Sequence, residues 1–261
     1  LAERATYPTP YPGVNEALDV LLTGARTILG QFVGFYLHGS LAGGCFAPGR
    51  SDVDFCVVTA EALPEDTIQA LERLHGRLMR SGLAWADRLE GPFISQRALR
   101  RYDPDNAQHP SFRTGGTFGV DGYGIDWVIQ SYTLREQGIA LAGPPIETLI
   151  DPILPDDLRR ASAGVLHEWW APMLDDTTRL QSAEYQAYAV LTMCRIGYTL
   201  HVGRVAPKPV AARWAQEAYG ARQADLIREA LGWEHGQEMA RLDEVLDLIR
   251  DTLRRCSEST A

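Results

Sequence analysis

Cysteine is scarce in this 261-residue chain, and the four present, Cys45, Cys56, Cys194 and Cys256, form no CxxC pair and no Cys/His cluster with metal-ligand spacing. That excludes a disulfide framework and a zinc site read from spacing. Each thiol reads as a small apolar filler, and reduced thiols suit the cytoplasm. Long apolar runs are also missing, with nothing near the ~18 residues that a membrane span needs. Basic charge is thin: 25 Lys and Arg stand against 34 Asp and Glu, a net charge of −9. A nucleic-acid partner needs many phosphate contacts and a basic stripe, so none is expected. An acidic surface instead favours a cationic ligand. No GxxxxGK[ST] occurs, which removes the P-loop ATPases. The opening stretch, with Pro8, Pro10 and Pro12, lacks the basic-then-apolar build of a signal peptide, and its first residue is Leu1 rather than Met. A cytoplasmic monomer is expected.

Apolar residues at 45% and charged residues at 23% are globular values, which leaves room for a core in one or two domains. Pro12 and Gly13 read as a turn before a helix over Val14–Leu29, whose Leu18, Leu21, Leu22 and Ile28 recur near helical spacing. Phe32–Leu37 is β-rich and runs straight into Gly39-Ser40. Asp52–Val58 begins by alternating and ends continuously apolar, as a half-buried strand does. Pro64–Arg80 reads as a helix and Arg88–Ile94 as a third strand.

Arg100–Gly124, with two prolines, five glycines and little periodicity, reads as a long functional or mobile excursion. Ile125–Ala140 is helix-like. The prolines at 144, 145, 152 and 155 mark a boundary near residue 150. Helices are then expected over Pro155–Trp169, Ala183–Gly203, Pro207–Tyr219, Arg222–Leu231 and Gln237–Cys256. The fold class expected is an α/β domain over residues 1–150 followed by an all-α helical bundle over 151–261.

The informative stretch is HGSLAGGCFAPGRSDVDF, residues 38–55. Gly39 has no Cβ, so the backbone after the strand can approach a ligand closely. Ser40 has a hydroxyl and an amide suited to phosphate oxygens if a helix begins there. Asp52 and Asp54, two apart on a strand, project from one face. Paired carboxylates suit a hard divalent ion such as Mg²⁺, which also takes substrate phosphates. Ser51 adds a hydrogen-bonding group at the mouth of the same strand. A Gly-Ser turn alone is commonplace, and D-x-D alone is often a solvated face. Strand, Gly-Ser, Gly-rich interval, Asp-Val-Asp and apolar strand in that order are specific.

This stretch resembles the Gly-Ser…Asp-x-Asp signature of the polymerase-β-like nucleotidyltransferase superfamily. More of the chain is similar to the aminoglycoside 3″-adenylyltransferases, which modify streptomycin and spectinomycin, and to their spectinomycin 9-adenylyltransferase relatives. The likeness extends to Ile125-Asp126-Trp127, to Leu141-Ala142-Gly143-Pro144 and to LTMCRIGYTLHVGRVAPKPVAARW, residues 191–214.

The resemblance implies a nucleotidyltransferase domain with a mixed sheet that moves AMP from ATP, with Mg²⁺, onto a hydroxyl of an antibiotic. Gly39 and Ser40 would hold the triphosphate, with Asp52 and Asp54 on the metal. Glu90 matches the family's catalytic base, although Gly91-Pro92 follows it where the family has β-branched residues, and Asp87 is the alternative. Arg195 and Lys208 match basic residues sent to ATP from the helical domain. Asp126, Trp170, Asp175, Glu184 and Tyr188 match the acidic and aromatic walls of a cleft for the antibiotic, while Trp127, Trp169 and Trp214 read as core. The same chemistry on another small molecule or a protein hydroxyl stays open. A non-catalytic nucleotide-binding relative is disfavoured, because Ser40, Asp52 and Asp54 are all present.

Overall fold

The computed structural model describes residues 9–113, 115–234 and 236–259; the opening residues read above for a signal peptide, up to Pro8, lie outside them. The chain divides into two compact units, one ending at Pro152 and the other beginning at Ile153.

The first unit begins with helix α1 (Pro12–Leu29), opened by a proline whose missing N–H costs nothing at a helix start. Strand β1 (Gly34–Leu37) follows, then the one-turn helix α2 (Gly39–Ala42), strand β2 (Val53–Thr59) and helix α3 (Glu65–Met79). Strand β3 (Leu89–Ser95), helix α4 (Gln96–Arg100), strands β4 (Gln108–Arg113) and β5 (Thr117–Gly122), helix α5 (Asp126–Gln137) and strand β6 (Ile139–Ala142) complete it. The sheet order is β5-β4-β3-β2-β1-β6. β2 and β3 run parallel, while the pairs β1–β2, β1–β6, β3–β4 and β4–β5 are antiparallel. The sheet is mixed, as expected.

A period of two along β2 separates its faces. Val53, Phe55 and Val57 join Phe35, Phe93 and Phe112 under Leu18 and Leu21 of α1 and Leu71, Leu74 and Leu78 of α3, in one apolar core. Each fully buried leucine or phenylalanine there contributes about 1.5–3 kcal/mol, which holds this face down. Asp54 is the one residue of β2 that is not fully buried.

Two stretches differ from the sequence reading. Arg100–Gly124 is no irregular excursion: it holds the β4–β5 hairpin, with Gln108 paired to Gly122 and Phe112 to Phe118. Its strands, QHPSFR and TFGVDG, carry a proline, polar residues and glycines, so pairing with neighbours rather than propensity makes them strands. The helix expected through Ala140 ends at Gln137, and residues 139–142 form β6 on the edge beside β1.

The second unit is helical, with α6 (Pro155–Val165), α7 (Ala183–Val202), α8 (Lys208–Ala218), α9 (Ala221–Gly232) and α10 (Leu242–Ser259). α7 is buried on most sides, at Ala187, Ala189, Val190, Met193, Cys194 and Ile196, which marks a central helix. Ser182 caps its start by accepting a hydrogen bond from the Tyr185 N–H, and Gly203 ends it in the left-handed conformation. Two ends depart from expectation. α6 stops at Val165 and gives way to a π-helical turn over Leu166–Trp170, and α10 starts at Leu242 instead of Gln237. No helix among the described residues is long and apolar enough to cross a membrane.

Candidate active site

β1 delivers the chain to the site. The N–H of His38 donates to the Asp54 carbonyl at 3.0 Å, which ties the end of β1 to the start of β2. Gly39 then turns with φ of 62°, a left-handed conformation that side chains resist. A Cβ there would overlap the Asp54 carboxylate. Glycine is therefore required twice, by the turn and by its neighbour. Ser40 lies in α2, and its carbonyl accepts from the Cys45 N–H at 3.0 Å. Ser51 closes the loop that follows: its hydroxyl oxygen accepts from the Ala47 N–H at 3.0 Å, and its own N–H donates to the Ala47 carbonyl at 2.8 Å.

The register of the parallel pair places Glu90 directly beside Asp54. Asp54 and Glu90 thus share one face, and Asp52 lies one residue before β2 begins; all three are half-buried. Gly91 next to Glu90 packs so tightly on β2 that a Cβ would overlap the Phe55 carbonyl oxygen, which explains why no β-branched residue stands there. Asp87 sits instead in a short turn, Ala86–Arg88, with its backbone and Cβ against Gly116 of the hairpin turn.

Among the described residues no group of three or more His, Cys, Asp or Glu is arranged to hold a metal ion. Mg²⁺ is commonly held by one or two carboxylates, with waters and phosphate oxygens supplying the rest. Two hard oxygen donors, Asp52 and Asp54, with the Asp54 carboxylate packed against Gly39, fit that demand.

Sequence reasoning missed Arg88, whose Nε lies 3.6 Å from Asp52 Oδ1. The signal available was a basic residue two before Glu90. It also missed the polar neighbours of Glu90 on β4. Ser111 is paired with Pro92 and so lies on the Glu90 face, and its hydroxyl is 3.0 Å from that of Tyr123. Burial pushes the Tyr123 phenol well above its ordinary range, with Asp121 and Glu90 adding to the rise. His38 and His109 are each lowered by burial to about 4, so both imidazoles are neutral. Asp126 opens α5, and its Oδ2 accepts from Gln130 Nε2 at 3.0 Å.

In the second unit Arg195 is half-buried in the middle of α7, and Lys208 is the exposed first residue of α8. Glu184 and Tyr188 lie one turn apart at the start of α7, both exposed, and Asp175 is exposed after a short turn over Ala171–Leu174. Trp170 does not line a surface. It is 1% exposed, in the core, with its ring 5.9 Å from that of Tyr185 and 5.7 Å from that of Tyr188. The expectation that Trp170 contacts a ligand is corrected accordingly, and so is the placing of Trp169 in the core. Trp169 is 45% exposed, its Nε1–H donates to the Tyr185 hydroxyl at 3.2 Å, and the Arg179 guanidinium stacks on its ring.

β1 thus runs into Gly39-Ser40 at the start of α2, Asp52 and Asp54 stand at the beginning of β2, and Glu90 stands beside Asp54 on β3. A solved spectinomycin adenyltransferase from Enterococcus faecialis, with ATP and spectinomycin, matches with a TM-score of 0.71 at 20% identity, over 93% of this chain and 98% of that one. Residues 148–259 match the family model "Aminoglycoside adenylyltransferase, C-terminal domain". An aminoglycoside (3'') (9) adenylyltransferase of Escherichia coli is 36% identical over 127 residues, 49% of this chain and 46% of the relative. A spectinomycin 9-adenylyltransferase of Staphylococcus aureus is 26% identical over 221 residues, 77% of each. The chain thus spans about half the length of the aminoglycoside (3'') (9) relatives it matches. The chain is thus similar to the aminoglycoside (3'') (9) adenylyltransferases and the spectinomycin 9-adenylyltransferases, with the family-model match confined to its C-terminal part.

Proposed function

We propose that the protein transfers AMP from ATP to a hydroxyl of a cationic aminocyclitol or aminoglycoside, with streptomycin and spectinomycin as the candidate acceptors and antibiotic resistance as the consequence. The observation that carries this is the pairing of Glu90 with Asp54, with Asp52 just before the same strand, beside the left-handed turn at Gly39.

Asp52 and Asp54 would hold Mg²⁺, which when bound would offset triphosphate charge. Gly39 lets the backbone approach the phosphates, and the Ser40 and Ser51 hydroxyls donate to their oxygens. Glu90 accepts the acceptor's hydroxyl proton as that oxygen attacks the α-phosphorus. The bond from the α-phosphorus to the bridging oxygen breaks, and pyrophosphate leaves. Asp87, held in its turn, is the weaker choice of base, because it is out of register with Asp54.

Arg195 and Lys208 serve the triphosphate, and Asp126, Asp175, Glu184 and Tyr188 serve the acceptor. Carboxylates and an exposed aromatic ring are the groups that take protonated amines. The cytosol, which suits the reduced thiols, is the compartment proposed for the reaction.

Incubation with ATP, Mg²⁺ and a panel of aminocyclitols, followed by mass spectrometry, tests the reading. One acceptor should gain the mass of AMP, and the Asp54→Ala variant should give no such product. A panel with no adduct would refute the acceptor class. An adduct formed equally by Asp54→Ala would refute the site.

A further inference from the structure

Asp52, Asp54 and Glu90 bring three carboxylates to the start of β2 and β3, and Arg88 sets a cation against Asp52. Its guanidinium is braced from three sides. Nε faces Asp52 Oδ1 at 3.6 Å, one Nη donates to the Pro48 carbonyl at 2.7 Å, and the group lies over the Trp85 ring at 4.7 Å from its centroid. The side chain is 24% exposed, so the ion pair is partly withdrawn from water and its screening.

The bracing reaches into the Gly-rich loop by a second route. Phe46 in that loop packs on Trp85 with ring centroids 5.3 Å apart, and Tyr11 packs on Phe46 at 4.8 Å. The loop therefore rests on an aromatic stack whose far end carries the Arg88 cation. Ser51, at the loop's end, bonds back to Ala47, one residue before the carbonyl that Arg88 holds. A planar fork that stacks and donates in two directions is a demand that arginine meets and lysine does not.

We propose that Arg88 is a positioning residue of the nucleotide site. It is a strut that locks the loop of residues 43–51 against the start of β3 and holds the Asp52 carboxylate in place for the metal-bound triphosphate. Because stacking and the Pro48 carbonyl fix the guanidinium, Asp52 can turn to a dication while Arg88 stays. A cation then remains beside the phosphates. This rests on the nucleotidyl-transfer reading above, so its test includes a measurement that needs no nucleotide.

Arg88→Ala and Arg88→Lys are made in the full chain. In the ligand-free proteins, hydrogen exchange of the amides of residues 43–51 should be faster in both variants, while Phe55–Val58 in β2 keep native protection. Calorimetric titration with Mg²⁺ and a non-hydrolysable ATP analogue should show about ten- to a hundredfold weaker binding for Arg88→Ala, the scale of one or two lost charge-assisted hydrogen bonds. Arg88→Lys keeps the charge and most of the stem, so it reports on the strut even where the alanine variant does not fold. Native loop protection in Arg88→Lys overturns the proposal. Tighter metal-nucleotide binding by Arg88→Ala also overturns it, because Arg88 would then compete with the metal. Wild-type protein that binds no analogue refutes the nucleotide site instead, whatever the loop exchange shows.

Discussion

Only a hydrogen on Gly39 leaves room for the Asp54 carboxylate; a methyl group in its place would overlap Oδ2. The backbone there is left-handed as well, so Gly39→Ala meets two penalties at once. The backbone penalty alone is about 1–2 kcal/mol. Displacement of Asp54 adds loss of nucleotide binding beyond what the stability change explains. Calorimetry at a temperature where the variant is fully folded checks this. Native affinity for Mg²⁺ with an ATP analogue would show that the turn does not position the carboxylate.

Glu90 is assigned to the acceptor's proton, not to the metal. Glu90→Gln should keep the affinity for Mg²⁺ and ATP analogue and lower kcat by ~10²–10⁴. Loss of nucleotide binding would make Glu90 a ligand. An unchanged rate would pass the role to Asp87.

The adjacent tryptophans of the second unit should separate cleanly. Trp170→Ala removes a ring that is 1% exposed and should cost about 3–5 kcal/mol of stability. Trp169→Ala, at a site 45% exposed, should cost well under half of that. Denaturant unfolding of the two variants decides it. Equal losses would contradict the burial order.

Two imidazoles set an acid limit. His38 and His109 titrate at about 4 in the folded chain against an ordinary 6.5, because burial excludes the charged form. The unfolded chain then binds more protons, so stability rises with pH across this window. Their contribution is complete above 6.5 and is lost as pH falls towards 4. His75 is lowered in the same direction. Thermal midpoints should drop through this interval, and His109→Phe, which keeps a ring against Tyr123, should drop less steeply. Parallel curves for the variant and the parent would remove His109 from the account.

The part of the site that lies along the chain was legible. Gly39-Ser40 and Asp52-Val53-Asp54 announce themselves by spacing, and the apolar end of β2 gives away its burial. Partners set by register were not legible. Arg88 meets Asp52 only because β3 lies parallel to β2, a pairing absent from either segment alone. The β4–β5 hairpin was hidden by Pro110 and five glycines in and around it, whose tolerance depends on neighbours. The tryptophan order was hidden for another reason. The π-helical turn at Leu166–Trp170 adds a residue to the period, so a helix extrapolated from Pro155 puts the wrong ring inside.

The parallel pairing of β2 and β3 also has a kinetic consequence. A hairpin can form from its own two strands, but parallel neighbours must wait for the chain between them to cross over, here through α3. Closing so long a loop costs entropy before any contact returns it. Until α3 has docked, Glu90 is not beside Asp54 and the loop of residues 43–51 has no Arg88 to rest on. On refolding, therefore, the capacity to bind nucleotide should be gained in a late step, after much of the helical content has formed.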